Sequence, residues 1–413
     1  MRQTRIIQPN YADRFRCLGS ACEDTCCSGW RVSIDDEDYR KFTSVPEGPL
    51  RSLVELSLVR DGKGTDHTDG ASASIRMLPS GACPLLSSEK LCRLQVEFGT
   101  AHMARICIDY PRNSYCIDGL SETELSLSCP EAARLVLLSP RLVPDDGAPG
   151  HQLTWDEGAV TGTDLRPYFW QIRELVTRLI VNRRYPLWQR LFLVGTFCRR
   201  LETFGSGQTD RRFADLLDDF SHAVCLPGLD ESMEAIAPDL TLQLHVVLSL
   251  LVERVNGDRI SPRARRVMEM FVKGLGHTTT ASIESQASRY SDAYRAHYVP
   301  FFKRHPQVLE NLLLNAVFRD AFPFGKTLTP AGGDPEPVKA FAMMAIQFAL
   351  VKGLLIGVSG ARRNRFGTCD VVEVVQIASR LFEHNPSFLR NAYKTLESAG
   401  LADARGLTML FRN

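Results

Sequence analysis

The chain has 413 residues, 44% hydrophobic and 23% charged, the composition of a soluble globular protein with room for two or three domains. Its 49 basic and 48 acidic residues leave a net charge of +1, which excludes bulk electrostatic attraction to nucleic acid or to an anionic membrane. The first ten residues carry no apolar run of secretory length, so the chain is expected in the cytoplasm, where reduced thiols favour metal ligation over disulfides.

Residues 17–30, Cys17-Leu-Gly-Ser-Ala-Cys22-Glu-Asp-Thr-Cys26-Cys27-Ser-Gly29-Trp30, place four thiols within eleven positions. Gly19, Ser20, Ser28 and Gly29 favour tight turns, and a turning backbone can aim several sulfurs at one centre. Nine of the 12 cysteines precede residue 130, the others there being Cys83, Cys92, Cys107, Cys116 and Cys129. Such clustering points to a metal or iron–sulfur site; structural disulfides and isolated buried thiols are the bland alternatives. After Trp30, Val32 to Ile34 alternates as a short strand. Asp35 or Asp36 is an N-cap, and Asp36 to Phe42 reads as a short polar helix. Residues 61–74 form an exposed loop, in which His67 is a solvated side chain rather than a ligand. Cys83 and Cys92 flank a hairpin or turn. Leu94 to Met103 is a short helix, Pro111 redirects the chain, and Cys129-Pro130 starts another helix. Residues 1–140 are thus a cysteine-rich metal- or cluster-binding domain.

Residues 141–163, rich in Pro, Gly, Asp and Thr, read as a linker. Helical periodicity then takes over for an α-helical domain over 164–413. Phe169, Ile172, Leu175, Val176, Leu179 and Ile180 share one face, and Leu187, Leu191, Val194 and Cys198 repeat the pattern after Pro186. Further helices are expected at about 209–222, 239–255, 263–273, 283–297, 309–317, 337–357, 370–383 and 387–398. The apolar run from Ala340 to Val358 contains Gln347 and Lys352, which marks a buried helix and not a membrane span. Strand signals are sparse. The fold class is mainly α, with a small cysteine-rich domain in front of a larger helical one.

The missing motifs matter as much. Cys22-x3-Cys26 begins like the C-x3-C-x2-C of radical enzymes that cleave S-adenosylmethionine, but Gly29 stands at the third position. There is no Walker A sequence, no G-x-G-x-x-G after a strand, no G-x-S-x-G and no H-E-x-x-H. Gly357-Val-Ser-Gly360 reads as a helix C-cap. His222, His245 and His305 are isolated. The basic runs at 183–184, 199–200, 263–266 and 362–365 read as solvated helix ends.

Phe15-Arg-Cys17-x4-Cys22-x3-Cys26-Cys27-x-Gly29-Trp30 resembles the N-terminus of bacterial flagellin lysine N-methylases. The resemblance continues through Cys83-Pro84-Leu85-Leu86, Leu91-Cys92, Cys107-x2-Tyr110-Pro111-Arg112 and Leu127-Ser128-Cys129-Pro130-Glu131-Ala132. In the helical half it takes in Asn182-Arg183-Arg184-Tyr185-Pro186-Leu187-Trp188, His305-Pro306-x2-Leu309-Glu310-Asn311 and Phe322-Pro323-Phe324. The first seven cysteines also resemble a broader group of small iron- or zinc-chelating domains. Here the first spacer is one residue longer, and Ile108 stands where that group often has Arg. The resemblance implies methyl transfer from S-adenosylmethionine to surface lysines of flagellin by a cytoplasmic enzyme, with an iron–sulfur cluster, 4Fe–4S before zinc. It marks Cys17, Cys22, Cys26, Cys27, Cys83, Cys92 and Cys107 as the metal-ligating set. Cys116 and Cys129 match only the narrower family, and Cys198, Cys225 and Cys369 fall in the helical half. Asp109 and Tyr110, beside Cys107, are candidate proton acceptors by proximity. The competing reading is a metal-stabilised flagellin-binding adaptor or chaperone without catalysis.

Overall fold

The computed structural model describes residues 2–30, 32–60, 73–143, 152–155, 164–205, 212–257, 260–276, 281–325 and 333–413. His67 lies outside the described residues. The strands are short: β1 (Arg2–Arg5), β2 (Ser33–Ile34), β3 (Leu58–Arg60), β4 (Ala73–Ile75), β5 (Arg112–Ile117), β6 (Leu120–Leu125) and β7 (Gln152–Trp155). They make a β1–β7 pair, a β2–β4–β3 sheet and a β5–β6 hairpin, all antiparallel. Strand β4 takes the last residues of the expected 61–74 loop, and β7 lies inside the segment read as a linker.

Among the small N-terminal helices, α1 (Asp36–Thr43) starts where the side chain of Asp35 accepts from the Asp38 amide, an ordinary N-cap. Helix α2 (Pro49–Ser57) has proline in its first turn after Gly48. Helices α3 (Arg93–Phe98) and α4 (Arg105–Asp109) follow, and α5 (Pro130–Leu137) begins at Pro130 as the sequence indicates.

The helical body comprises α6 (Phe169–Val181), α7 (Leu187–Gly205), α8 (Phe213–Cys225), α9 (Leu229–Glu234), α10 (Leu240–Gly257), α11 (Pro262–Gly274), α12 (Ile283–Ala293), α13 (Val299–Arg304), α14 (Gln307–Arg319), α15 (Pro337–Arg362), α16 (Thr368–Phe382), α17 (Pro386–Ser398) and α18 (Ala404–Met409). A π-turn over Tyr294–Tyr298 joins α12 to α13. Mainly α is therefore the observed class. Helix α15 is long and apolar enough to cross a bilayer, but it is buried inside the fold, packed against α7, α10, α11, α12, α16 and α17.

The glycines read as a helix C-cap are interior to α15. A Cβ on Gly274 of α11 would meet the carbonyl oxygen of Gly357 at 1.7 Å, and one on Gly360 would meet Ala293 at 2.9 Å. These positions carry glycine because the helix backbones touch there, so the helix continues to Arg362.

Two apolar cores result. The smaller is built from residues 32–107, with Val32, Ile34, Phe42, Val54, Leu85 and Leu94 at its centre. The larger takes the helices together with Tyr11, Phe15, Leu125, Leu127 and Val136 from the N-terminal third. The chain thus leaves the helical body after Phe15, folds the small core, and returns through the β5–β6 hairpin. Arg173 of α6 fixes that return. Its side chain is wholly buried, bonded to Glu122 at 2.8 Å and stacked on Phe169 and Phe318.

Candidate functional site

The 17–30 segment bridges the two cores. Gly19 and Gly29 sit at φ +55 and +82, conformations that cost other residues about 1 kcal/mol or more. The turns are held by a Gly19 amide bond to Cys17 Sγ at 3.4 Å and by the Cys27 amide on Thr25 Oγ1 at 3.1 Å. The segment then runs beside residues 81–83. The Cys83 amide donates to the Cys27 carbonyl at 2.8 Å, and the Gly29 amide to Gly81 at 3.0 Å. Cys83 and Cys92 do flank a turn: Leu86 bridges to Cys92, and the Arg93 amide donates to Leu85 at 2.9 Å. Cys107 is carried by α4, whose first amide, that of Arg105, donates to the buried Asp38 at 2.8 Å.

All seven expected ligands, Cys17, Cys22, Cys26, Cys27, Cys83, Cys92 and Cys107, line one cavity of about 340 Å³. This is a volume suited to a small ligand or cofactor. Cys129, which the sequence reading left out, lines it as well. The sequence places it among the clustered cysteines and in the narrower family's pattern, and the fold brings it across from the other core. All twelve cysteines are free thiols. Cys198 is core, as its helical face indicates, while Cys116, Cys225 and Cys369 are exposed. Of the two proton-acceptor candidates, Asp109 is exposed and paired with Arg105 at 3.1 Å. Tyr110 lines the cavity and stacks on Trp30 at 5.9 Å.

The electrostatics of the thiols follow from their crowding. Cys27 is lowered to about 7, because Cys26 donates to it and Thr25 helps, against burial; Cys26 is raised in return. Burial pushes Cys83 and Cys129 up to about 11 and raises Cys22, Cys92 and Cys107. Neighbouring thiols add to this: Cys107 meets Cys27, Cys92 and Cys83, while Cys22 meets Cys17. Several such thiols ionise together only around a cationic centre. The donors are soft sulfur, which suits an iron–sulfur or zinc centre. Among the described residues no three His, Cys, Asp or Glu side chains stand at a spacing that would share one ion. The soft-sulfur chemistry of the thiols is that of the donors an iron–sulfur cluster takes, and they line one cavity.

Charged contacts hold the segment onto the helical body. Asp24 accepts from Arg380 at 2.6 Å and from Gln376 at 2.8 Å, both on α16. Arg380 also donates to the Ser28 carbonyl. Glu23 pairs with Arg134 of α5 at 2.6 Å. Arg263, from one of the basic runs, is 4.0 Å from Asp24 and 3.4 Å from Glu373. Arg183 and Arg190 converge on Glu310, and Arg362 pairs with Asp370. These arginines are engaged within the fold and do not make a basic docking face.

A family model described as the FliB lysine N-methylase C-terminal domain matches residues 173–410. The chain is 23% identical to the Lysine-N-methylase of Salmonella typhimurium over 419 aligned residues, 98% of each chain. It is 22% identical to the Lysine-N-methylase of Salmonella choleraesuis at the same coverage. The flagellar biosynthetic protein FliU of Salmonella muenchen is 29% identical over 142 residues, 34% of this chain and 81% of its own. No solved structure matches.

Proposed function

The chain belongs to the FliB lysine N-methylase family, and from that premise we propose that it is a cytoplasmic enzyme transferring the methyl group of S-adenosylmethionine to lysines of flagellin. The substrate reading rests on the flagellar naming of the family relatives. The observation that carries the reading in the structure is the one cavity that eight thiols, Trp30 and Tyr110 line together. In a chain that aligns end to end with lysine N-methylases, that cavity is where a reaction centre and its cluster would sit.

Cys17, Cys22, Cys26, Cys27, Cys83, Cys92 and Cys107 would hold the cluster. When bound, an iron–sulfur cluster supplies positive iron that keeps these thiols ionised and joins the loop segments of a small core. The chain's own residues do the rest. Asp24, Arg380 and Gln376 fix the thiol segment against α16, and Trp30 and Tyr110 form an aromatic wall. Methyl transfer by direct displacement needs a neutral amine aligned with the sulfonium methyl. Lysine has an ordinary pKa of about 10.4, so its proton must be removed first.

The test is to incubate anaerobically purified protein with flagellin and S-adenosylmethionine and to measure flagellin mass, with iron and sulfide assayed on the same sample. Added methyl increments are expected. An unmethylated flagellin from a preparation with intact cluster overturns the reading, and tight flagellin binding in that sample would make the chain an adaptor.

A further inference from the structure

The Leu127-Ser128-Cys129 stretch and the end of α16 have so far no role in the chemistry, yet they meet beside the cavity. Tyr110 Oη lies 3.0 Å from Ser128 Oγ, and Ser128 Oγ lies 2.9 Å from Nε2 of His384. Ser126 Oγ makes the third contact of that hydroxyl at 2.8 Å. A serine hydroxyl has one proton and two lone pairs, so Ser128 is fully used by these three neighbours. It is also fixed in place: its side chain is 2% exposed, and its carbonyl accepts from Gln376 at 3.0 Å. Tyr110 faces the cavity at one end of the chain of bonds. His384 is exposed to solvent at the other.

We propose that Tyr110, Ser128 and His384 form a proton path that takes the proton from the substrate ammonium in the cavity and delivers it to solvent. The proposal rests on the methyltransferase reading and names the acceptor that reading leaves open. The carboxylates lining the cavity are occupied: Asp24 by Arg380 and Gln376, Glu131 by Arg134. The thiols belong to the cluster in that reading. Tyr110 is the cavity group with a hydrogen-bonded route outward.

An ammonium N–H bond breaks and its proton binds Tyr110 Oη, while the Tyr110 proton passes to Ser128 Oγ and the Ser128 proton to His384 Nε2. The tautomer carrying its hydrogen on Nδ1 presents the lone pair this requires. No tyrosinate accumulates, and the imidazolium releases its Nδ1 proton to water. The freed amine lone pair then forms the N–C bond with the methyl of a sulfonium donor. The C–S pair stays on sulfur, leaving a neutral thioether. The charged groups facing His384 are Glu383 and Arg380 from α16 and its end and Arg319 from α14. Burial of the inner side of the ring, with Arg380 and Arg319, holds its pKa below the usual histidine value against the pull of Glu383. The ring is therefore neutral and able to accept at neutral pH.

Tyr110→Phe, Ser128→Ala, His384→Ala and His384→Gln are compared with the unaltered protein for methyl transfer to flagellin from pH 6 to about 10, with iron content and melting checked on each. At pH 7 the variants should lose about 100-fold in kcat with little change in KM, the usual worth of general-base assistance. The gap should close as pH approaches the lysine pKa, where bulk water removes the proton. Added imidazole should restore His384→Ala, because the position is open to solvent, whereas His384→Gln, which keeps a hydrogen bond but cannot take a proton, should stay slow. If Tyr110→Phe does not fold, the serine and histidine variants carry the test. Variants as fast as the unaltered protein, or slowed equally at every pH and not restored by imidazole, overturn the path. An unaltered protein that transfers no methyl at all removes the underlying reading instead.

Discussion

Removing the carboxylate of Asp24 should loosen the thiol segment while leaving the helical body intact. Asp24 is 12% exposed and accepts from Arg380, 17% exposed, at 2.6 Å and from Gln376 at 2.8 Å. Each hydrogen bond to a charged group is worth about 1.5–3 kcal/mol. Partial exposure discounts that, and Arg380 keeps its bond to the Ser28 carbonyl. About 3 kcal/mol of holding energy for the pair is the resulting estimate for Asp24→Ala. It falls on one segment because the nearby backbone contacts, Cys83 to Cys27 and Gly29 to Gly81, tie residues 27–29 to the small core and not to α16. A loss of 3 kcal/mol in local opening free energy corresponds to about a hundredfold faster amide exchange. Hydrogen-exchange mass spectrometry should find that acceleration in residues 22–30 and wild-type protection in α10, α14 and α15. Asp24→Asn, which keeps one acceptor oxygen, should fall between. Unchanged exchange in 22–30 of Asp24→Ala would refute the idea that this contact fastens the segment, and uniform acceleration through α15 would show that the cost is global.

Cys27→Ser, Cys83→Ser, Cys92→Ser and Cys107→Ser should each lose most of the iron, whereas Cys198→Ser, Cys225→Ser and Cys369→Ser, which do not line the cavity, should keep it; metal analysis of anaerobic preparations decides. Lys352 is buried over Tyr294 and Tyr298, and burial pushes its pKa down to about 7. Between that value and the unfolded value of about 10.4 the unfolded chain binds more protons, so stability should rise with pH across that window. Urea unfolding at several pH values should show the rise in the unaltered protein, and the Lys352→Met variant should lack Lys352's share of it. Gly274→Ala drives a methyl into the Gly357 carbonyl and should destabilise by about 3 kcal/mol, at the upper end of overpacking costs; an unchanged urea midpoint would contradict the close crossing. Arg173→Met leaves Glu122 buried without its partner and should cost about 3–5 kcal/mol, most of it recovered in the Arg173→Met/Glu122→Leu double variant.

What could be read from the sequence depended on how local its physical cause was. Asp35 caps α1 and Pro130 opens α5 through residues next to one another in the chain, and both were legible. The helical half was legible because apolar spacing along one helix is set by that helix's own buried face. The β5–β6 hairpin was not, although Asp118-Gly119 supplies the two positive-φ residues of a tight turn. Its strands, Arg-Asn-Ser-Tyr-Cys-Ile and Leu-Ser-Glu-Thr-Glu-Leu, lack alternating apolar residues, because Glu122 and Glu124 point into the protein. Burial of those carboxylates depends on the helical body packed over the hairpin: Glu122 meets Arg173 of α6, while Glu124, paired across the hairpin with Asn113, is buried enough for its pKa to rise to about 8. Gly357 and Gly360 are not a C-cap for the same reason: a Cβ there would meet Phe271 and Ala293 on other helices.

The candidate site divides along the same line. Seven thiols were visible because cysteines crowd the first third of the chain and because turns leave glycine and serine. Cys129 showed only as one of the clustered cysteines and in a match to the narrower family, and nothing local joined Ser128 to His384. Ser128 and His384 are 256 positions apart, and each alone is an ordinary serine or histidine. Their meaning comes from α16 running past the hairpin's return, where Gln376 and Arg380 hold Ser128 and Asp24 at neighbouring positions on one helix face. That single helix therefore touches both the thiol segment and the proposed proton path. Shifting α16 should disturb cluster retention and the pH profile together, whereas a fault confined to the thiol segment should spare the contact between Ser128 and His384. Arg380→Met addresses the first link and Ser128→Ala the second. If Arg380→Met lowered iron retention yet Ser128→Ala did not, while only Ser128→Ala altered the pH profile, the two functions would share a helix without depending on one another.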